Sequence, residues 1–280
     1  MDNLIIGANG QLGTELRKLL DEKKVSYTAT DSKKLDITNK KLVYEFFKKN
    51  SPKCIYHCAA FTAVDAAEEE PGKSLNWKVN VEGTKNIAEA AEAINATLVF
   101  VSTDYVFDGQ NSNMYSENDQ PNPKNEYGKA KVEAERIVAN TVAKHYIVRT
   151  SWVFGKYGKN FVYTMIDLAK THKKLTVVDD QIGRPTWTRT LAEFMTYITK
   201  KQVPFGIYQL SNEDECSWYE FAMEILKDTD TIVEPVNSFE YPQKAYRPKH
   251  SVMSLEKAKN TGFKIVSWYT ALNEFMSGID

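Results

Sequence analysis

The fold of this chain is decided by residues 3–13, which read Asn-Leu-Ile-Ile-Gly-Ala-Asn-Gly-Gln-Leu-Gly. A short apolar run, typical of a buried strand, is followed at once by Gly7, Gly10 and Gly13 and then by leucines at helical spacing. A strand, a glycine-rich turn and a helix can bind the diphosphate of a dinucleotide, because glycine allows close backbone approach and the helix N-terminus offers N–H groups. The GxxGxxG spacing differs from the usual GxGxxG pattern, so an ordinary β–α turn is the alternative.

Strands and helices are predicted to alternate from this unit to residue 150. The predicted strands cover 25–30, 54–59, 97–101 and 145–149, and the predicted helices cover 40–49, 74–94 and 126–138. This alternation predicts an α/β fold, a Rossmann-type doubly wound, mostly parallel sheet with helices on both faces. Ligands of such sheets bind outside the carboxyl ends of the strands, where Gly7, Asp31, Ala59, Thr103 and Thr150 would converge. Asp31 follows the second strand, at the distance where a carboxylate binds the adenosine ribose.

The regular alternation weakens after residue 150. We expect residues 1–150 to form an NAD(P)-binding Rossmann domain and residues 151–280 to form mostly a smaller substrate-binding lobe. A helix at 191–199 and an apolar run at 205–210 are expected to return to the sheet, so that about 187–215 rejoins the first domain. Because no low-complexity linker separates the two parts, the C-terminal lobe is expected to be interwoven with the first domain.

A second stretch, residues 102–131, carries candidates for proton transfer. Thr103 is expected at the carboxyl end of a buried strand, and Tyr127 and Lys131 fall one turn apart on one face of the next helix. Such a group could pass a proton to a carbonyl oxygen. The ordinary tyrosine pKa of about 10 is too high for easy exchange near neutrality, and a nearby ammonium lowers that pKa. A surface tyrosine and a solvated lysine are the alternative.

Composition narrows the class of protein. The chain has 42% hydrophobic and 26% charged residues and a formal net charge of −1, so nothing favours a nucleic acid or an anionic membrane as partner. The sequence shows no signal-peptide pattern and no apolar run long enough to cross a bilayer, and we expect a cytoplasmic protein. The three cysteines do not suggest a disulfide framework. Cys54 and Cys58, beside His57, are expected in the core, with a metal site as the alternative.

The motifs extend along nearly the whole chain and keep a fixed order. They are GANGQLG, LDIT, AAFTAVDAAE, STDYVFDG, YGKAK, RTSWVFG, DDQIGRPTWT and RPKHS. Together they resemble the extended short-chain dehydrogenase/reductases and, more narrowly, the dTDP-4-dehydrorhamnose reductase family. The resemblance implies hydride transfer from NADH or NADPH to C4 of dTDP-4-dehydro-β-L-rhamnose. The product would be dTDP-L-rhamnose, made in the last step of its synthesis for cell-surface polysaccharide.

The resemblance also implies roles for individual residues. Tyr127 would donate the proton, Lys131 would hold the nicotinamide ribose and lower the tyrosine pKa, and Thr103 would bond the substrate oxygen. The residues expected to bind the cofactor are Gly7, Gly10, Gln11, Leu12, Gly13, Asp31, Asp36, Ile37, Ala59, Ala60, Phe61, Tyr127 and Lys131. The residues expected to contact the dTDP-sugar are Thr103, Asp104, Trp152, Arg184 and Arg247.

Some alternatives stay open. Asp36 could instead cap the helix at 40–49, and Trp152 could be a core residue beneath the small lobe. A non-catalytic NADP-binding regulatory subunit, like the beta subunit of methionine adenosyltransferase, would share the fold, although the intact set of Thr103, Tyr127 and Lys131 argues against it. A nucleotide-sugar epimerase or dehydratase would also share the fold, but it would retain its dinucleotide tightly.

The resemblance also raises the question of a metal ion. Some members dimerise around a divalent ion held by carboxylates, and Glu15 is available for such a role. The segment after Pro185 reads Thr-Trp-Thr-Arg, and Arg189 would repel a cation. We therefore predict no metal ion, and a protein that is a monomer or a weak homodimer.

Overall fold

The computed structural model of the chain describes residues 2–279. Its strands are β1 (Asn3–Ile6), β2 (Thr28–Thr30), β3 (Cys54–His57), β4 (Thr97–Thr103), β5 (His145–Thr150), β6 (Val153–Phe154), β7 (Lys174–Val178), β8 (Ile182–Gly183), β9 (Thr186–Trp187), β10 (Gly206–Gln209), β11 (Cys216–Ser217) and β12 (Ile232–Val236). Its helices are α1 (Gln11–Glu22), α2 (Lys40–Asn50), α3 (Gly72–Trp77), α4 (Thr84–Ala93), α5 (Glu126–Thr141), α6 (Phe161–Ala169), α7 (Thr188–Lys201), α8 (Trp218–Ile225), α9 (Glu256–Asn260) and α10 (Trp268–Ser277). None of the helices within residues 2–279 combines the length and apolar character that a bilayer crossing requires.

The central sheet has the strand order β10-β5-β4-β3-β1-β2, and all its neighbouring strands are parallel. The order reverses between β1 and β3, and a crevice opens there outside the carboxyl ends of the strands. Helices α1 and α7 pack on one face of the sheet, while α2, α4 and α5 pack on the other. The predicted doubly wound parallel sheet is therefore confirmed.

The chain returns to this sheet after building part of the smaller lobe. Strand β10 pairs with β5, and the apolar side of α7, with Leu191 and Met195, joins the core beneath α1. A separate apolar cluster, with Phe154 and Phe221 among its buried members, fills the smaller lobe. The lobes are thus interwoven, as the missing linker predicts.

Two of the differences between the predicted and the observed elements have a clear physical reason. Strand β2 begins at Thr28 and not at residue 25, because the Val25 amide donates to Leu20 at the end of α1 and Val25 is partly exposed. The single helix predicted at 74–94 is interrupted by a π-helical turn at Lys78–Gly83. Such turns are frequent at functional sites, and this one carries Asn80, whose side chain bonds both the N–H and the C=O of Phe61.

A buried ion pair joins α5 to β5. Arg149 donates from Nη2 to Glu135 Oε2 at 2.7 Å and from Nε to Glu135 Oε1 at 3.0 Å, and both side chains are almost fully buried. The Arg149 guanidinium also lies 5.1 Å from the ring centroid of Phe107. Two hydrogen bonds in parallel fix the helix against the strand more precisely than apolar contact alone.

We expect Glu135→Gln to lower the free energy of unfolding by about 3–5 kcal/mol, because Arg149 then keeps its charge in a buried place without its counter-charge. The matched control is Glu133→Gln on the exposed side of α5, whose pair with Arg136 is worth about 0–1 kcal/mol. Denaturant titration of both variants measures the difference. Equal midpoints would contradict this account of the pair.

Candidate active site

The carboxyl ends of β3, β4 and β5 open into a cavity of about 590 Å³, which we call the central cavity. The predicted site residues that line it are Gly10, Gln11, Leu12, Ala59, Ala60, Thr103, Asp104, Tyr127, Lys131 and Trp152. The structure therefore brings the predicted catalytic residues together with half of the predicted cofactor residues. Residues that are far apart in sequence meet here because parallel strands end at one edge of the sheet.

A second cavity, of about 310 Å³, lies beside the glycine turn, and we call it the turn cavity. Gly7, Asp31, Asp36 and Ile37 line it. It shares Gly10, Cys58, Ala59 and Ala60 with the central cavity. Because the two cavities share these walls, they form one groove along the crevice between β1 and β3.

The glycine turn explains why this groove can hold a diphosphate. Gly7 has a φ of +79°, and a Cβ there would lie 2.5 Å from the backbone nitrogen of Ala59. A Cβ on Gly13 would lie 2.2 Å from the Gly7 carbonyl oxygen, so α1 could not come so close to β1. At the start of α1, Gly10 contributes no side-chain cap, Gln11 and Leu12 line the groove, and the first N–H groups of a helix have no acceptor within it. These N–H groups fit the diphosphate of a dinucleotide.

Asp31 ends the groove with a carboxylate. Its Oδ1 accepts hydrogen bonds from the backbone N–H groups of Lys33 and Lys34, and its Oδ2 accepts one from Asn9 at 2.7 Å. The bond from the Lys34 amide lowers the pKa of Asp31, so the carboxylate is charged at neutral pH. Arg17 Nη1 donates to Asn9 Oδ1 at 3.3 Å, which brings a guanidinium to this end of the groove. No sequence motif pointed to Arg17.

The residues after Asp31 take different places. Asp36 lines the turn cavity but does not cap α2, because Asn39 accepts the capping bond from Leu42 and Asp36 bonds Thr38 instead. Ile37 is buried against Gly83, where a Cβ would come within 2.7 Å of its side chain. The alternative role of Asp36 as the cap of α2 is therefore wrong.

Gly13, Phe61 and Arg184 line neither the central nor the turn cavity; Gly13 acts through the close packing of the turn. The peptide group of Phe61 is held by Asn80. Arg184 donates from Nη1 to the Met253 carbonyl at 2.7 Å, so its guanidinium fixes the C-terminal segment. The sequence pattern located the loops of Phe61 and Arg184 but held no information on the direction of their side chains.

The catalytic candidates are held by close helix–strand packing. Gly128 follows Tyr127, and a Cβ there would lie 2.2 Å from the Tyr105 carbonyl oxygen, so only glycine lets α5 approach the end of β4. Thr103 Oγ1 donates to Asp104 at 3.1 Å and accepts from the Tyr105 amide at 3.2 Å. Tyr127 and Thr103 both line the central cavity, and the Thr103 hydroxyl partly offsets the rise in the pKa of Tyr127.

Burial dominates the pKa values of this group. It raises the pKa of Tyr127, and the charge of Asp104 raises it further. This direction is opposite to the sequence-based prediction that Lys131 lowers the tyrosine pKa. Lys131 is itself almost fully buried, and burial lowers its pKa to about 7, although Glu135 opposes the shift. The Lys131 Nζ donates to the Val101 carbonyl at 2.6 Å and lies 4.0 Å from the Phe100 ring centroid.

Asp104 is a buried carboxyl group beside Thr103. Burial raises its pKa to about 6, although hydrogen bonds from Ser251 and Thr103 oppose that shift. Ser251 Oγ donates to Asp104 Oδ2 at 2.6 Å. Ser251 belongs to the RPKHS motif, and its contact with Asp104 was not predicted from the sequence.

Trp152 lies in the wall of the central cavity on a left-handed backbone, with a φ of +46°. Its indole stacks on Trp218, with ring centroids 3.6 Å apart and an interplanar angle of 10°. Gly183 packs so closely that a Cβ there would lie 2.6 Å from the indole. Trp152 therefore both packs against the small lobe and lines the cavity. Trp218 also lines the cavity, and the sequence did not single it out.

A third cavity, of about 290 Å³, lies on the side of the small lobe, and we call it the outer cavity. Its walls include Arg247, Gln243 and Tyr241, and it shares Tyr105 and Trp218 with the central cavity. Arg247 therefore lines a cavity next to the central cavity, and its contact with the nucleotide part of a substrate stays a prediction. The turn, central and outer cavities form a continuous series.

The side chains considered as metal ligands, Glu15 and His57, form contacts with other protein groups. Arg189 pairs with Glu15 at 3.6 Å, with Glu22 at 2.5 Å and with Glu193 at 3.0 Å. His57 is buried and bonds Thr84 at 3.1 Å, and burial lowers its pKa to about 3. Within residues 2–279, no group of three or more His, Cys, Asp or Glu side chains is arranged to hold a metal ion. The absence of a metal ion from the working protein stays a prediction.

Known proteins resemble this chain over its whole length. The family model described as RmlD substrate binding domain matches residues 1–280. A dTDP-4-dehydrorhamnose reductase of Aggregatibacter actinomycetemcomitans is 41% identical over 284 residues, which cover 96% of each chain. The structure of dTDP-4-dehydrorhamnose reductase from Bacillus anthracis in complex with NADP has a TM-score of 0.95 at 39% identity and covers 100% of both chains. A dTDP-4-dehydrorhamnose reductase structure from Clostridium acetobutylicum has a TM-score of 0.95 at 42% identity over 99% of both chains.

These comparisons confirm the family that the sequence motifs resemble. The similarity is not confined to the glycine turn, since it includes the small lobe and the C-terminal segment with the RPKHS motif. The chain belongs to the RmlD substrate binding domain family, together with these reductases.

Proposed function

We propose that this protein reduces the C4 keto group of dTDP-4-dehydro-β-L-rhamnose with NADH or NADPH and so makes dTDP-L-rhamnose for cell-surface polysaccharide. One observation carries the proposal. Thr103, Tyr127 and Lys131 line a cavity that continues into the glycine-turn groove on one side and into the cavity beside Arg247 on the other. A dinucleotide and a nucleotide-sugar can thus enter from opposite sides and meet at one proton donor. The names of the relatives support this substrate.

The protein's own residues would bind, orient and protonate the substrate. NAD(P)H, when bound, supplies the hydride. Thr103 would hold the carbonyl oxygen through its hydroxyl, and Tyr127 would give that oxygen its proton. A donor in a reduction must carry its proton before the reaction; a tyrosine does so at neutral pH, and burial raises the pKa of Tyr127 further. Lys131 would hold the nicotinamide ribose, and Asp104 and Trp152 would contact the sugar.

The cofactor residues divide along the groove. Gly10, Gln11 and Leu12 would bind the diphosphate through the start of α1, and Ala59 and Ala60 would lie along the dinucleotide. Gly7 and Gly13 would act by permitting the close approach of the turn. Asp31 would bond the adenosine ribose, and Asp36 and Ile37 would flank the adenine. Phe61 would contribute only through its backbone, whose N–H donates a hydrogen bond to Asn80.

We further propose a cytoplasmic protein that is a monomer or a weak homodimer and uses neither a metal ion nor a nucleic acid. The guanidinium of Arg189 among Glu15, Glu22 and Glu193 supports the absence of a cation there. The formal net charge of −1 offers no general attraction to nucleic acid. The decisive test of the reaction is the loss of reduced-nicotinamide absorbance when dTDP-4-dehydrorhamnose is added. An epimerase or dehydratase would not consume the added cofactor.

We expect Tyr127→Phe to lower turnover by roughly 10²- to 10⁴-fold, the usual contribution of a positioned general acid, and to leave cofactor binding nearly intact. Lys131→Ala should lower both the turnover and the affinity for the cofactor. The matched control is Tyr146→Phe, which removes a buried hydroxyl that bonds the Val203 carbonyl away from the site. Steady-state kinetics and fluorescence titration with NADPH measure the two effects. Wild-type turnover by Tyr127→Phe would show that the assigned mechanism is wrong.

We expect NADH and NADPH to bind with only a modest difference in affinity. Asp31 accepts hydrogen bonds from a ribose but repels a 2′-phosphate, and Lys33, Lys34 and Arg17 offset that repulsion. Arg17→Ala should therefore weaken the binding of NADPH by about tenfold and the binding of NADH much less. Lys18→Ala is the control and should change neither affinity. Dissociation constants at one fixed salt concentration decide the matter. A preference above about a thousandfold for either cofactor would contradict this balance of charges.

We expect Trp152→Ala to lower kcat/KM for the nucleotide-sugar and to leave NADPH affinity nearly unchanged, because the indole is a wall of the central cavity. The control is Trp187→Ala, since Trp187 is half-buried against the same apolar cluster but outside the central, turn and outer cavities. If Trp152 were only a core residue, its replacement by alanine would lower the free energy of unfolding by roughly 3–5 kcal/mol. A large fall in melting temperature with kinetics preserved at low temperature would refute the role in the cavity.

A further inference from the structure

Four consecutive residues of the C-terminal segment, 244–247, are each bonded to the Rossmann side of the molecule. Lys244 pairs with Glu69 at 2.5 Å. The Tyr246 carbonyl accepts a hydrogen bond from the Asn125 side chain at 2.9 Å, and the Tyr246 hydroxyl donates one to the Asp108 carbonyl at 2.9 Å. We call residues 244–247 the clasp. Its last residue, Arg247, lines the outer cavity.

Asp65 makes two of the bonds that hold the clasp. Its Oδ1 accepts from the Ala245 amide at 3.0 Å, and its Oδ2 accepts from Arg247 Nη2 at 2.8 Å. Arg247 also donates from Nη1 to the Ala245 carbonyl at 3.3 Å, so backbone and guanidinium are fixed together. One carboxylate thus sets both the position of the segment and the direction of its arginine.

Arg247 is held from a second side by an aromatic ring. Its guanidinium lies 5.7 Å from the ring centroid of Tyr105, and that ring meets Tyr127 edge to face at 6.2 Å. Tyr105 belongs to both the central and the outer cavity. The guanidinium therefore lies at the boundary between the place of the keto group and the place proposed for the nucleotide.

The loop that carries Asp65 is the same loop that lines the groove for the dinucleotide. It leaves β3 at residue 58, and Ala59, Ala60, Thr62 and Val64 all line the central cavity. Asp65 follows directly and turns to the clasp. The side chain of Asp65 is 45% exposed, whereas that of Arg247 is 14% exposed. Solvent therefore screens the negative charge of Asp65, while its hydrogen bonds still fix the buried guanidinium.

We propose that Asp65 is a positioning residue, which holds Arg247 so that its guanidinium can bind the diphosphate of the nucleotide-sugar. The inference rests on the proposed function and adds a residue that acts through Arg247 without touching the substrate. A planar guanidinium binds a diphosphate best through two parallel hydrogen bonds, and that geometry requires its orientation to be set beforehand. Asp65 supplies this orientation from the cofactor side of the site.

The test is a double-mutant cycle with Asp65→Ala, Arg247→Ala and the variant that carries both changes. We expect Asp65→Ala to raise the KM for the nucleotide-sugar and the dissociation constant of dTDP by about 10-fold or more, as for other misplaced binding groups, with kcat and NADPH affinity little changed. In the Arg247→Ala background, Asp65→Ala should have no further effect. Glu69→Ala, which breaks the exposed pair of the clasp with Lys244, is the matched control and should change neither constant.

The outcomes separate this inference from the proposed function. Unchanged dTDP affinity in Asp65→Ala, additive effects in the double variant, or a wild-type protein that does not bind dTDP would overturn the role of Asp65. Coupled effects on dTDP binding in a protein that does not reduce the sugar would support Asp65 and overturn the proposed reaction. If the alanine variant does not fold, Asp65→Asn keeps the shape and one acceptor oxygen, and its effect should likewise vanish in the Arg247→Ala background.

Discussion

The buried hydrogen bond from Lys131 to the Val101 carbonyl is the interaction on which the site depends. An ammonium group in an almost fully buried place is costly unless it is bonded, so this contact at 2.6 Å fixes α5 over the end of β4. Tyr127 lies one turn earlier on the same helix and lines the central cavity together with Thr103. The Glu135–Arg149 pair, one turn later, fixes the same helix to β5. The candidate catalytic residues and a buried ion pair that holds the fold together therefore lie on the same helix.

Much of the fold could be predicted because it depends on local, periodic patterns. Apolar runs ending in glycine or polar residues marked β1, β3, β4 and β5, and the glycine turn identified the start of α1. Parallel strands end at one edge, so this alternation was enough to bring Thr103, Tyr127 and the glycine turn to one cavity. The π-helical turn at Lys78–Gly83 was not visible, because its 6 residues are too few for the shift in the apolar period to be recognised in the sequence.

The remaining parts of the site depend on contacts between distant segments. Ser251 bonds Asp104, Trp218 stacks on Trp152 and Asp65 bonds Arg247, and no period or spacing relates the members of these pairs. The predicted lowering of the tyrosine pKa failed for a similar reason. A sequence shows that a lysine is one helical turn away, but the degree of burial of both groups is a property of the whole fold.

The return of the chain to the sheet has a consequence for how the protein is made. During synthesis, β5 is complete at residue 150, but its outer neighbour β10 is not complete until residue 209. For that interval the nascent sheet has an open edge, and the apolar face of α1 lacks α7. Unpaired edges and exposed apolar faces favour association between chains. The part of the small lobe at residues 151–187 must therefore be translated before the nucleotide-binding half can close, while most of that lobe's buried apolar cluster follows residue 209.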